Sequence, residues 1–381
     1  GGYTVKSFEE RKAEVCRRRK IIAEKRKRRN KLLLCAAPVI IAVGIAVTVN
    51  FSDIFPLNSA KNESTYSSAV SPDADLPTLE IGAPDGGYGY EGYLAHDISE
   101  LVNANPWNEN ISLAALPVFR VKNDTSENKL KELITATAEK LNLKGFNSFT
   151  NDGGAVFSES ESIKITATDT GIFVYFKKAE SLPERYNYGY YASYKDMKKS
   201  AGYLKNKYSA LFKDGKYILN LYGGDCDIYG RQSYHISFYK DSDDIVQKII
   251  NYNFYKTFFT PNDNGELELI NTDLPDLGNK IGNYPVISPD KAKELLYDGK
   301  YVTSAPTAIK KSDKTAQTEL VYRFAPWEKY YIPYYRFLVA EESTGNESLE
   351  KQGFKVYCAY YVPAVEEKYI ANMPLWNGAL N

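Results

Sequence analysis

Apolar and polar positions along the chain follow two regimes. Residues 32–49 pass without a charge, and at about 1.5 Å rise per residue the run is roughly 27 Å of helix against a bilayer core about 30 Å thick. It predicts a single transmembrane helix over 32–51. Beyond it the apolar positions become periodic. One theme then recurs three times, an amphipathic helix followed by several strands.

In the first unit, 94–180, a short helix over 96–103 and a strand over 116–121 precede a helix whose Leu130, Leu133, Ile134 and Leu141 share one face, with Asp124 and Glu127 at capping-box spacing. Strands are predicted at 155–158, 162–168 and 172–176. In the second unit, 181–284, Met197, Ala201, Leu204, Tyr208 and Leu211 mark a helix that Asp214-Gly215 stops. Strands follow near 217–222, 233–239, 248–259 and 266–271, the last two joined by the Asn262–Gly265 hairpin. In the third unit, 285–381, Ser288 caps a helix, Pro289 takes its first position and Gly299 ends it. Long aromatic strands over 317–324, 331–340 and 354–362 follow, with a polar loop over 341–351. Three helix-plus-antiparallel-sheet units on a single N-terminal span make the predicted fold class α+β.

Charge orients this picture. Residues 1–31 carry thirteen Lys or Arg against four Glu, and the rest of the chain holds 35 basic and 44 acidic residues. The positive-inside bias then keeps 1–31 in the cytoplasm and places the mildly acidic remainder, net −9, outside the cell membrane. A body of that charge offers no concentrated basic face for nucleic acid. The basic start is too long for an ordinary leader, and no small-x-small site follows the apolar run, so the span is read as an uncleaved anchor. Residues 6–31 form a helix that hugs anionic lipid or docks a partner such as a sigma factor or membrane kinase. Residues 52–93, rich in Ser, Asn, Asp, Pro and Gly, read as a flexible stalk.

Candidate chemistry is sparse. Of four cysteines, Cys226 and Cys358 both fall outside, where a disulfide is chemically permitted; two separate half-buried thiols are the alternative. Two carboxylates flank Cys226 in Asp225-Cys226-Asp227 and raise its pKa, so turn chemistry accounts for this group better than a reactive thiol or a cation site. Only two histidines exist. His96 begins a short helix, and His235 shares a strand face with Ser233 and Ser237, opposite Tyr234, Ile236 and Phe238. Neither converges on a nucleophile, and no metal site, cofactor site or catalytic constellation is predicted. Tyrosines crowd 186–194 and the third sheet. There Tyr331, Tyr334, Tyr335, Arg336, Tyr360 and Tyr361 put aromatics on both faces of the strands, and only one face is needed to cover the helix. The other is a candidate surface for a protein partner or a sugar of the cell wall.

Ile287-Ser288-Pro289-Asp290-Lys291-Ala292-Lys293-Glu294-Leu295-Leu296, then Glu319-Leu320-Val321-Tyr322 and Tyr331-Ile332-Pro333-Tyr334-Tyr335-Arg336-Phe337, is similar to PepSY-like domains. It resembles most the C-terminal part of the YycI and YycH group, membrane-anchored extracytoplasmic regulators of a cell-wall two-component kinase in Gram-positive bacteria. The resemblance covers about a hundred residues, and the basic segment 1–31 departs from it, as in membrane-bound anti-sigma proteins. It implies a non-enzymatic sensing or regulatory ectodomain. A cell-wall or carbohydrate-binding surface protein is the alternative.

Overall fold

Two short strands, β1 (Gly92–Ala95) and β2 (Ala115–Arg120), come before the first helix and enter different sheets. A computed structural model describes residues 70–82, 90–122, 124–323, 328–376 and 378. Helix α1 (Glu127–Lys140) is capped by Ser126, whose Oγ accepts from the Lys129 N–H, so the cap lies two residues beyond the predicted Asp124. Strands β3 (Thr150–Asp152), β4 (Ala155–Glu159), β5 (Ile163–Thr168) and β6 (Gly171–Glu180) follow. Helix α2 (Tyr194–Lys207) is capped by Ser193 and buries Met197, Ala201 and Leu204, the spacing its apolar positions predict. Next come β7 (Tyr217–Cys226) and β8 (Gln232–Lys240).

Sequence reading then errs. The strand expected over 248–259 is α3 (Ile245–Phe254) followed by β9 (Lys256–Pro261). Asp244 caps the helix by accepting from the Val246 N–H at 3.0 Å, and Ile245, Ile249 and Val246, Ile250 recur four apart, which outweighs the β-preference of isoleucine. The chain continues through β10 (Leu267–Asp273), β11 (Lys280–Pro285) and α4 (Pro289–Tyr297). Ser288, Pro289 and Gly299 act as read: the Ser288 Oγ accepts from the Lys291 N–H at 3.1 Å, and Gly299 takes φ +80° after the last turn. Strands β12 (Val302–Thr303), β13 (Thr315–Tyr322), β14 (Tyr330–Tyr331) and β15 (Pro333–Ala340), a one-turn helix α5 (Glu347–Lys351) inside the predicted polar loop, and β16 (Lys355–Pro363) complete the described elements.

Three sheets result. The largest has eight strands in the order β3-β4-β5-β6-β10-β9-β8-β7, all antiparallel, and runs across the expected junction at 180–181. A second has the order β1-β16-β15-β13, with β12 also on β16, and a third joins β11, β2 and β14. Alternation gives each large face one character. On the eight-stranded sheet Leu221, Ile236, Phe238, Phe259, Ile270 and Val174 form a core with α1 and α2. On the second sheet Leu320, Tyr335, Phe337, Tyr360 and Val362 form a core with α3 and α4. The opposite face of each sheet carries a polar patch, on the second sheet beside the apolar Leu338, Tyr357 and Ala359, and these patches line one cleft.

The predicted architecture needs correction. Strand predominates over helix, and among the described residues no helix is long and apolar enough to cross a membrane. The longest described helices have 14 residues and carry charges; at about 1.5 Å per residue they reach about 21 Å. The single-span architecture, and with it the cell-membrane placement, is therefore not supported. The apolar run 32–49 and the basic segment 1–31 lie outside the described residues. Part of the expected stalk, 70–82, packs against the body instead: the Leu79 N–H donates to the Tyr369 carbonyl at 2.7 Å, and Leu79 and Ile81 are buried. The apolar residues Leu76, Leu79 and Ile81 within a polar stretch were the available sign.

Candidate functional site

The cleft is built by strand alternation. On the eight-stranded sheet Asn220 and Tyr222 of β7 and His235 and Ser237 of β8 share its polar face, as their register shows: Asn220 is opposite Ser237 and Tyr222 opposite His235. Lys256 lies opposite Tyr239, and because Thr257 pairs with Thr272, Asp273 is the next cross-strand neighbour of Lys256. On the second sheet Glu319, Arg336 and Tyr361 lie side by side on three adjacent strands. Helix α3 closes one side with Tyr252 and Asn253. The space divides into two adjoining cavities of about 340 and 390 Å³, both lined by Tyr252, Lys256 and Arg336.

One rim depends on glycine. The segment before β2 lies over the end of β7, where the Val102 N–H donates to the Gly223 carbonyl at 2.9 Å. Gly224 has φ +95°, and a Cβ there would stand 1.8 Å from the Glu100 carbonyl oxygen. This close approach carries Asn103 to Glu319 and the Ala104 N–H to the Asn220 side chain, both within 2.7 Å.

The second sheet's wall is a closed network. The Arg336 Nε donates to Glu319 at 3.0 Å, its Nη2 also reaches Glu319, and its Nη1 donates to Glu91 at 3.1 Å. Glu319 also accepts from Asn103 and Gln317, both at 2.6 Å, and Glu91 from the Tyr93 and Tyr361 hydroxyls, both at 2.7 Å. Burial opposes the Arg336 charge, but Glu319 with Tyr361, Tyr93 and Glu91 holds its pKa well above the usual value. Both Arg336 donors converge on one oxygen of Glu319, so the contact fixes position as well as charge.

The facing wall is open. Among the described residues Lys256 and Asp273 make no ion pair, no hydrogen bond joins the side chains of Tyr222, His235, Tyr252, Lys256 and Asp273 to another residue, and Asp225 accepts only from its own backbone N–H. Tyr252 and Phe258 present their rings to the Lys256 ammonium, with centroids at 4.7 and 5.7 Å. Contacts of this kind contribute about 0.5–1 kcal/mol, less than burial costs. Burial brings Lys256 down to about 8, with Asp273 opposing and Arg336 adding to the fall. It pushes Asp273 up to about 7 against the pull of Lys256. Burial also raises Asp225 and lowers His235, each partly offset by the other. Groups perturbed in this way inside a cleft mark a candidate site.

No family model and no curated protein matches this chain. Among solved structures it is similar to an uncharacterized protein from Eubacterium rectale, at 12% identity over 69% of this chain and 86% of that one, with a TM-score of 0.31. The cleft must therefore be read on its own chemistry.

Of the residues singled out from sequence, Arg336 and Tyr361 line the cleft. Tyr331, Tyr334, Tyr335 and Tyr360 are each at most 3% exposed, so the expected outer aromatic surface is not there. The face of β15 judged surplus does exist, but the eight-stranded sheet faces it. Cys226 and Cys358 are both free and buried in different clusters, so the permitted disulfide is not formed. Burial, then the carboxylates around it, pushes the Cys226 thiol up to about 11. Asp227 serves the turn as read, accepting from the Tyr229 and Arg231 N–H groups and from the Arg231 side chain. Three of the exposed tyrosines are at the entrance to α2, where Tyr190, Tyr191 and Tyr194 are 42–46% exposed, and Tyr190 stands edge-on to His235 at 5.8 Å. Lys256, Asp273, Glu319 and Glu91 were missed. The signal for Lys256 was its position as the one cation between Lys248 and Gly265, directly ahead of the aromatic run Phe258-Phe259.

Proposed function

We propose that this is a non-enzymatic binding protein with a sensing or regulatory role, and that the cleft between the two sheets takes a small polar ligand. The observation that supports this reading is the contrast between the walls. The Arg336–Glu319–Glu91 wall satisfies its own charges, whereas among the described residues the side chains of Tyr222, His235, Tyr252, Lys256 and Asp273 face the same space with no hydrogen bond to the protein. A fully buried polar group without a partner costs about 1–3 kcal/mol; most of these groups are half-buried and carry only part of that cost, yet a chain selected only for stability would favour apolar residues there. A ligand carrying both donors and acceptors recovers that cost on binding. A sigma factor or kinase remains the proposed recipient of the signal, through the basic segment 6–31.

Thermal unfolding of the full chain in the presence of amino acids, short peptides, sugar phosphates and 2-oxo acids tests the reading. At least one class is expected to raise Tm, and Lys256→Met is expected to abolish the rise. No shift with any class, or an unchanged shift in Lys256→Met, overturns it.

A further inference from the structure

Lys256 is the only lysine lining either cavity. Its ammonium has no ion pair among the described residues, rings lie beside it at 4.7 and 5.7 Å, and the Arg336 guanidinium lies across the same space. Asp273, its cross-strand neighbour, is likewise unpaired and lines the same cavity. A lysine placed to hold an anionic ligand as a point charge would gain from charge. Here the rings favour the charge only weakly, while loss of water around the ammonium and a second cation both work against it. What this environment favours is the neutral amine, which is a nucleophile.

Resting on the binding reading above, we propose that Lys256 holds a carbonyl-bearing ligand, an aldehyde or ketone, as a reversible imine, with Asp273 carrying protons. The Nζ lone pair attacks the carbonyl carbon, forming the C–N bond while the C=O pair moves to oxygen, which takes a proton from the Asp273 carboxyl. The nitrogen passes a proton to the Asp273 carboxylate, and the carbinolamine then loses its hydroxyl as water, the C–O bond breaking as Asp273 gives that proton to the departing oxygen and the nitrogen lone pair forms the C=N bond; the remaining iminium N–H proton goes back to Asp273. The balance is amine plus carbonyl to imine plus water, with no oxidant or reductant. Hydrolysis by the reverse path releases the ligand. The pKa directions agree with these roles, since burial leaves a useful fraction of Lys256 unprotonated and of Asp273 protonated near neutrality. The other charged groups facing the pair are Arg336, Arg323, which is paired with Glu328 at 3.9 Å, Glu319, Glu91, Asp225 and His235. Glu319 and Glu91 are committed to Arg336.

The test is reductive trapping on the full chain. Glyoxylate is added at pH 7.5 with cyanoborohydride, and labelled lysines are located by peptide mass mapping. Lys256 is expected to be labelled about tenfold faster than any exposed lysine, because an ordinary lysine is far less deprotonated at that pH. Urea is expected to erase the preference, Lys256→Arg to remove the label at that position, and Asp273→Asn to slow it. Even labelling of surface lysines in the folded protein, or an unlabelled Lys256, overturns the inference. If Lys256 stays unlabelled while a ligand without a carbonyl still raises Tm in the wild type and not in Lys256→Met, the covalent step fails and the binding reading stands. If no ligand of any class raises Tm and Lys256 stays unlabelled, both fail.

Discussion

The two walls of the cleft are made from the same material, antiparallel strands with one apolar and one polar face, yet they treat charge in opposite ways. On the β13–β15–β16 wall every charged group is answered: Arg336 by Glu319 and Glu91, and these in turn by Asn103, Gln317, Tyr93 and Tyr361. On the β7–β10 wall, among the described residues, Lys256 and Asp273 are neighbours across two strands without an ion pair, the His235 side chain has no hydrogen bond, and Asp225 accepts only from its own backbone N–H. The first arrangement supports a fold. The second holds chemistry in reserve, and the difference shows that burial alone does not separate structural from functional charges; the partner count does.

The comparison breaks most sharply at Glu319. Its side chain is 3% exposed, so Glu319→Ala leaves Arg336 only partly compensated and is expected to cost about 3–5 kcal/mol in urea unfolding. A cost under about 1 kcal/mol would mean that the closed wall is not structural. Gly224→Ala comes next. With φ at +95° and the Glu100 carbonyl in the way, it is expected to lose about 2–3 kcal/mol and to release the 98–103 segment, seen as faster amide exchange at Val102.

The open wall is expected to show itself in pH dependence. Asp273 titrates near 7 in the folded chain against an ordinary 3.8, so between these values the folded state binds more protons than the unfolded one. Its contribution is therefore full below about pH 4 and lost as pH rises through 7. Lys256 titrates near 8 against an ordinary 10.5, so the folded state binds fewer protons in that window and stability recovers as pH rises through it. Together they predict a trough near pH 7–8. Asp273→Asn is expected to remove the falling limb and to gain about 1–2 kcal/mol at pH 8, less than the full shift implies because the cleft admits water. A stability curve that rises from pH 4 to 7 because of Asp273 would contradict the assignment. The smallest effect is at His235: His235→Asn breaks no hydrogen bond and is expected to change stability by less than about 0.5 kcal/mol.

Much of this was legible in the chain because local rules sufficed. The cap at Ser288, the apolar spacing of α2, the Asn262–Gly265 hairpin and the face shared by His235 and Ser237 all follow from a few neighbouring residues. What was hidden depends on long-range pairing. That β15 turns its second face toward β8 and β9, converting an expected outer surface into a cleft wall, cannot be read from alternation, which gives faces but not what covers them. The Ile-rich stretch of α3 was taken for strand because residues of high β-preference populate both a buried helix and a buried strand; the Asp244 cap was the deciding feature. Lys256 and Asp273 lie 17 positions apart and meet only through the β9–β10 register. The anchor was inferred from residues that the described structure does not include, and the described helices supply no span in its place.

The most direct measurement is urea unfolding of Arg336→Met and Lys256→Met side by side at pH 7.5. Each removes one cation from the same cleft and keeps an apolar stem of similar length. A loss of about 3 kcal/mol or more for Arg336→Met, with no loss or a gain of up to about 1 kcal/mol for Lys256→Met, is the predicted result. Equal losses for the two variants would contradict it, because Lys256 would then be held by the fold as firmly as Arg336.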